Sequence, residues 1–159
     1  MKGPFHYEPL IRVPLVMRWP RRISGGRRVP TLVSHVDVRP TLLSAAGVAS
    51  TAGACARSDG LSLLPVLTDG ARAVRDAALV ECVDDPEGLR LKTLVTEDRK
   101  LTWYCGQPYG ELYDLARDPG ELTNLWDDAA YAGDRARLLG RLLTELESLE
   151  KRAPRLSYA

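Results

Sequence analysis

The chain has 159 residues, of which 45% are hydrophobic and 27% are charged, as is usual for a globular protein. No run reaches the roughly 18 apolar residues of a membrane span, and no charged-then-apolar leader stands at the N-terminus. We therefore expect a soluble chain with no membrane partner and no signal peptide in this chain, and its compartment stays unknown.

The net charge of +1 is unevenly distributed along the chain. Residues 1–80 carry 11 lysines and arginines against 5 aspartates and glutamates, whereas residues 81–159 carry 11 against 16. Because a local positive potential attracts anions, the front half favours an anionic ligand.

The three cysteines, Cys55, Cys82 and Cys105, are odd in number and widely separated. Their spacing matches no zinc motif and implies no disulfide framework, so no metal site is predicted from them. Cys82 and Cys105 lie in or beside strand-like runs, which predicts buried thiols.

The first half of the chain alternates short apolar runs with loops. Residues 13–19 form a compact apolar run bounded by prolines, which predicts a strand buried in a sheet. An arginine-rich loop follows over residues 20–30. A helix is predicted to begin after the capping residue Ser34 and to end at Gly47. Residues 50–57 are interpreted as a loop.

The second half has a different periodicity. It predicts a short helical turn at residues 61–67 and then a run of strands at 77–83, 89–95, 100–104 and 111–115, with a hairpin between the second and third. A helix is predicted over residues 133–152, with a stripe of leucines at 138, 139, 142, 146 and 149. This pattern indicates a small antiparallel sheet covered by one amphipathic helix.

The opening of the chain carries its most informative motif. It reads Lys2-Gly3-Pro4-Phe5-His6-Tyr7-Glu8 and continues into Arg12-Val13-Pro14-Leu15. A lysine, then Tyr-Glu, then Arg-Val-Pro-Leu resembles the last catalytic segment of the sulfatases, which belong to the alkaline phosphatase superfamily. In that family the lysine contacts the sulfate, so the resemblance implies a catalytic role for Lys2.

Three further segments extend the resemblance in the same order. Residues 33–43 resemble the family's Asp-x-x-Pro-Thr-Leu-Leu helix, and residues 59–67 its Asp-Gly-x-Ser-Leu-Leu-Pro segment. Residues 111–125 are similar to its Glu-Leu-Tyr-Asp-Leu signature, which continues into Asp-Pro-x-Glu-x-x-Asn-Leu. Four matching segments in order indicate common ancestry, and we interpret the last three as scaffold rather than chemistry.

The resemblance implies an α/β fold class, with the C-terminal part of an alkaline-phosphatase-like fold followed by a small antiparallel sheet packed by a C-terminal helix. It divides the chain into residues 1–75, the end of a catalytic α/β domain, and residues 76–159, a C-terminal subdomain.

The chemistry of a sulfatase is incomplete in this chain. The family needs Cys/Ser-x-Pro-x-Arg, whose first residue becomes formylglycine, and this motif is absent from the sequence. The family's metal-binding aspartates are not recognisable either, so no cofactor is expected here; calcium or magnesium and a formylglycine are expected only in a full-length parent. Asp84-Asp85 could hold a cation, but the following Pro-Glu-Gly favours a solvated turn.

Two residues are candidate site positions. Lys2 is the catalytic candidate, by resemblance. His6 lies near it in sequence and is a candidate substrate-binding residue; a half-buried, hydrogen-bonded structural histidine is the alternative. The arginine-rich loop could contact a sulfated sugar, whereas the scarcity of interleaved aromatic residues argues against nucleic acid.

These observations lead to the hypothesis of a C-terminal fragment of a sulfatase-like hydrolase that is inactive alone. The alternative is a non-catalytic module that complements a separate N-terminal sulfatase piece or binds an anionic glycan or sulfate ester. A parent that hydrolyses phosphodiesters or phosphonates stays open.

Overall fold

The structure is a computed structural model that describes residues 5–48, 59–84 and 88–149. Lys2, Cys55, Asp85 and the predicted loop at 50–57 lie outside the described residues. Within them, no helix is long and apolar enough to cross a membrane.

Four strands form one antiparallel sheet in the order β1-β2-β3-β4. They are β1 (Ala77–Asp84), β2 (Leu89–Thr96), β3 (Arg99–Tyr104) and β4 (Gly110–Asp114). All four predicted strands are therefore confirmed. Each follows its neighbour along the chain, so short turns suffice to connect them.

In the described part of the chain, four helices accompany the sheet, together with two short 3₁₀ turns at His35–Asp37 and Ala129–Tyr131. They are α1 (Glu8–Ile11), α2 (Val38–Ala45), α3 (Leu64–Thr68) and α4 (Ala132–Leu149). The predicted helix start after Ser34 is confirmed, and Gly47 follows α2 with a positive φ of 70°, as expected of a helix-ending glycine.

The core lies between one face of the sheet and α4. A cross-strand row of leucines, Leu94, Leu101 and Leu112, is fully buried on that face. Leu138 and Leu142 of α4 are also fully buried and belong to the same cluster. The leucine stripe predicted for the last helix is thus the stripe that packs on the sheet.

The outer edge of β4 is closed by the segment after it. The Asn124 side chain accepts a hydrogen bond from the Leu112 N–H at 3.0 Å and donates one to the Gly110 carbonyl at 3.0 Å. The Leu125 N–H donates to the Leu112 carbonyl at 2.8 Å. These bonds occupy backbone groups that an exposed edge strand would leave unpaired.

The buried strand predicted at residues 13–19 is wrong. This stretch is irregular, and Val13, Leu15 and Val16 are exposed, the last to 89%. A strand needs a neighbour for its backbone groups, and each of the four described strands pairs only with another of the four. The apolar run therefore has no sheet to enter among the described residues.

Candidate functional site

The second face of the sheet, opposite α4, carries a cluster of buried polar side chains. Because side chains alternate between faces along a strand, the residues beside the leucine row point the other way. The polar residues of this second face are Thr93, Lys100, Thr102 and Glu111, which lie beside the apolar Leu91 and Val95, and we call it the polar face. The first three are buried, and residues 6–8 make hydrogen bonds with this face.

His6 is buried on the polar face, with 6% of its surface exposed. Its Nδ1 lies 2.7 Å from the Thr93 hydroxyl, which lies 2.8 Å from the Thr102 hydroxyl. Burial, and secondarily the charge of Lys100, lowers the pKa of the His6 imidazole. The ring is buried and hydrogen-bonded, and a substrate-binding role for His6 stays a prediction.

Lys100 is a fully buried lysine on β3. Its ammonium group forms an ion pair with Glu121, donates a hydrogen bond to the His6 carbonyl at 2.7 Å and lies 3.4 Å from a Glu8 carboxylate oxygen. The other Glu121 oxygen accepts a hydrogen bond from the Glu8 N–H at 2.7 Å. The buried charge is therefore compensated by two carboxylates and a carbonyl.

Glu121 reaches this cluster from a tight turn. The Glu121 N–H donates to the Asp118 carbonyl at 3.1 Å, as predicted for the Asp118-Pro119-Gly120 sequence. Glu121 has a φ of 56°, in the left-handed region that non-glycine residues seldom occupy. The Glu121 backbone adopts this uncommon conformation, and its side chain is directed into the buried ion pair with Lys100.

Tyr7 attaches the same segment to β4. Its hydroxyl donates to Glu111 at 3.0 Å, and the Tyr104 hydroxyl donates to the same carboxylate oxygen at 2.9 Å. Burial and then the hydrogen bond to Glu111 raise the pKa of both phenols. The two hydroxyls therefore stay protonated donors at neutral pH.

A second buried polar cluster joins two of the family-like segments. Asp37 is fully buried; it pairs with the Arg75 guanidinium and accepts hydrogen bonds from the Ser34 and Leu61 N–H groups, each at 2.8 Å. The hydroxyl of the buried Thr41 accepts from the Leu63 N–H at 2.8 Å. These side chains hold backbone in place, which agrees with the scaffold role predicted for the segments.

The arginine-rich loop borders an open cleft between residues 10–35 and strands β1 and β2. Arg27 is engaged, since its guanidinium donates to the Leu67 and Val66 carbonyls at 3.2 and 3.3 Å near the end of α3. Arg22 lies over the Trp19 ring at 5.8 Å. The Arg27 hydrogen bonds thus connect the loop to the end of α3.

The structure brings His6 into a cluster and leaves the other predicted site residue untested, because Lys2 lies outside the described residues. In residues 5–48, 59–84 and 88–149, no three His, Cys, Asp or Glu side chains are grouped so that they could hold a metal ion. Cys82 and Cys105 are free and half-buried rather than fully buried.

Sequence reasoning missed Lys100 and Glu121. Lys100 directly precedes the core residue Leu101, so alternation along the strand predicts a lysine that faces away from the core and gives no sign of its burial. The Glu121 side chain, 21 residues away, carried no local pattern that would pair it with Lys100.

A family model described as "N-sulphoglucosamine sulphohydrolase, C-terminal" matches residues 2–151. The chain belongs to this family of sulfatase C-terminal regions, which confirms the resemblance drawn from the four sequence segments. Among curated relatives, an N-acetylglucosamine-6-O-sulfatase of Bacteroides thetaiotaomicron is 32% identical over 154 residues, covering 92% of this chain and 27% of that protein.

Solved structures also match the fold. The structure of BT4656 in complex with its substrate D-glucosamine-2-N,6-O-disulfate has a TM-score of 0.67 and 27% identity, over 86% of this chain and 28% of that one. A phosphonate monoester hydrolase of Agrobacterium radiobacter has a TM-score of 0.58 and 32% identity, over 71% of this chain and 24% of that one. The chain thus spans about a quarter of these relatives and has the C-terminal part of a sulfatase-like, alkaline-phosphatase-superfamily fold.

Proposed function

We propose that this chain supplies the C-terminal subdomain and the sulfate-contacting Lys2 of a sulfuric ester hydrolase, and that it is inactive alone. The observation that carries the proposal is the family match, which begins at residue 2 and so includes this lysine. A lysine offers a compact positive charge to sulfate oxygens, where negative charge grows as the ester bond breaks.

The nucleophile and the metal-binding residues of such a hydrolase would belong to the part of a full-length parent that precedes the matched C-terminal region. A formylglycine would supply the nucleophile there, and calcium or magnesium would activate it. The described residues of this chain do not offer a metal-binding group, so we assign no metal-dependent step to them.

The partner in this proposal is an N-terminal sulfatase piece, encoded in the same or in a separate chain. Its docking surface would be the apolar stretch at residues 10–48. Val13, Leu15, Val16 and Leu42 are exposed there, and such a patch is typical of an interface.

The proposed substrate class is a sulfated amino sugar. Two matched relatives act on or bind such molecules by name, an N-acetylglucosamine-6-O-sulfatase and BT4656 with its disulfated glucosamine. The positive charge of residues 1–80 suits an anionic glycan.

The test begins with the purified 159-residue chain, assayed with an aryl sulfate in calcium or magnesium. We expect no turnover above background. The chain is then combined with the part of the Bacteroides thetaiotaomicron sulfatase that precedes the matched region, in a host that forms formylglycine. We expect turnover from this reconstituted enzyme and loss of at least a hundredfold in kcat with Lys2→Ala. Turnover by the chain alone that Lys2→Ala abolishes would overturn the proposal.

The second candidate function is hydrolysis of phosphonate monoesters by the full-length parent. The 32% identity with the Agrobacterium radiobacter enzyme favours it. The reconstituted enzyme is assayed in parallel with an aryl sulfate and an aryl phosphonate monoester, and a larger kcat/KM for the phosphonate would select this candidate. A chain that retains sulfated glycan but never supports turnover would favour a non-catalytic glycan-binding module.

A further inference from the structure

We propose that the buried Lys100–Glu121 pair is a positioning device that anchors the N-terminal segment and thereby sets the location of Lys2. The proposal rests on the proposed function, in which Lys2 contacts the sulfate. It gives the four-stranded sheet a role in catalysis besides stability, because the pair belongs to that sheet and to the turn that follows it.

Three consecutive residues are each held by a different part of the subdomain. The His6 ring bonds to Thr93 of β2 at 2.7 Å, and the Tyr7 hydroxyl bonds to Glu111 of β4 at 3.0 Å. Glu8 is held by the Lys100–Glu121 pair through both its N–H and its carboxylate. Attachment at three successive residues leaves the segment little freedom to slide or rotate.

The two charged groups are directed at the segment rather than only at each other. The Lys100 ammonium bonds to the His6 carbonyl at 2.7 Å and lies 3.4 Å from the Glu8 carboxylate. One Glu121 oxygen pairs with Lys100, while the other accepts the Glu8 N–H at 2.7 Å. Without the N-terminal segment, the Lys100 ammonium and the second Glu121 oxygen would lose these partners.

Stability alone does not account for this arrangement. Replacing a buried ion pair with apolar side chains is often neutral or stabilising, so a core needs no lysine here. Apolar side chains could not bind the backbone groups of His6 and Glu8, however. A charged pair can hydrogen-bond to neighbouring backbone groups and hold them in place. The left-handed backbone conformation of Glu121 agrees with a requirement for this side chain at this position.

Anchoring His6 confines Lys2. Only three residues lie between them in the sequence, so the two Cα atoms lie within about 14 Å of one another even for a fully extended chain. A contact with a sulfate ester depends on placement to within about 1 Å, and a loosely held lysine would contact it only part of the time. Loss of the anchor should therefore lower kcat through Lys2.

The first experiment measures hydrogen exchange in the 159-residue chain. The variant is Lys100→Met with Glu121→Asn, which removes both charges together and places asparagine where a positive φ is required. The matched control is Lys92→Met with Glu81→Asn, which removes the ion pair between β1 and β2 that lies partly in solvent. We expect the Glu8 amide to exchange at least tenfold faster in the first variant only, while amides of the β2–β3 ladder stay protected. Unchanged Glu8 exchange in a folded variant would overturn the proposal.

If that variant does not fold, the same exchange measurement on the Glu121→Gln variant tests whether the pair anchors the segment. It removes the charge but keeps an acceptor, so the Glu8 amide should exchange about threefold or more faster than in the control. No change in this folded variant would overturn anchoring by the pair.

The second experiment is a double-mutant cycle in the reconstituted enzyme described above. We expect the Lys100→Met, Glu121→Asn variant to lower kcat at least tenfold in the Lys2 background and less than threefold in the Lys2→Ala background. A merely structural pair would give the same loss in both backgrounds, and that result would overturn the proposal. If Lys2→Ala itself changes nothing, the proposed function fails and the catalytic part of this proposal with it, whereas Glu8 exchange still decides the anchoring.

Discussion

The carboxylate of Asp37 pairs with the guanidinium of Arg75, 38 residues later in the chain, and both side chains are largely removed from solvent. Asp37 lies at the end of the 3₁₀ turn that leads into α2, whereas Arg75 lies two residues before β1. The pair therefore ties the helical first half of the chain to the start of the sheet.

Substitution of Asp37 should be severely destabilising. Asp37→Ala leaves Arg75 without its buried partner and the Ser34 and Leu61 amides without their acceptor. We expect a loss of about 3–5 kcal/mol in the free energy of unfolding, measured by urea denaturation. The control is Asp76→Ala, whose pair with Arg141 is 85% exposed at the aspartate, and which should cost no more than about 1 kcal/mol. Equal losses of unfolding free energy in Asp37→Ala and Asp76→Ala would contradict the structural role given to the buried Asp37–Arg75 pair.

Gly60 is expected to tolerate no side chain. A Cβ at this position would overlap the Val36 carbonyl oxygen, which belongs to backbone and cannot move aside as a side chain could. Gly60→Ala should cost about 1–3 kcal/mol of unfolding free energy in thermal or urea denaturation.

The matched substitution for Gly60→Ala is Gly140→Ala in α4. A Cβ there meets nothing within 4 Å, and alanine is the better helix former by about 0.5–1 kcal/mol. The two changes should therefore move stability in opposite directions, and a stabilising Gly60→Ala would show that the close approach to Val36 is wrong.

Elements that depend on neighbouring residues could be predicted from the sequence, and those that depend on distant partners could not. The strands, the last helix and the turn at 118–121 were predictable because periodicity and turn chemistry lie within a few neighbouring residues. Residues 13–19 were predicted as a strand on apolar character alone, yet a strand also requires a partner, which the sequence of one segment does not contain.

The cluster around Lys100 could not be predicted from the sequence for the same physical reason. The contacts of Lys100 with His6 and Glu8 span more than 90 residues, and only the fold brings them together. The local pattern gave the histidine as a candidate, with a substrate pocket or a structural bond as its alternatives. It could not show that the ring meets Thr93.

The leucine stripe of α4 allows a test of packing within a single helix turn. Leu142 is fully buried against the sheet, while its neighbour Leu143 is 59% exposed. Leu142→Ala should cost about 2–5 kcal/mol of unfolding free energy because it removes buried methyl groups and leaves a cavity. Leu143→Ala removes the same atoms from a solvated position and should stay within about 0.5–1 kcal/mol. Similar costs for both would place the helix in a different rotation on the sheet.

The buried His6 should make the chain less stable in mild acid. The pKa of its imidazole is lowered from 6.5 in the folded state, so below that pH the unfolded chain binds a proton that the folded chain does not. Stability is then present above pH 6.5 and is lost as the pH falls through the folded pKa, by at most about 1.4 kcal/mol per pH unit. His6→Gln removes this titration, so its unfolding free energy should fall less than that of the unmodified chain between pH 7.5 and 5. The control is His35→Gln, which replaces the chain's other histidine at an exposed position. Parallel profiles for His6→Gln and the unmodified chain would mean that His6 is not held neutral in the folded state, and its bond to Thr93 would then need another explanation.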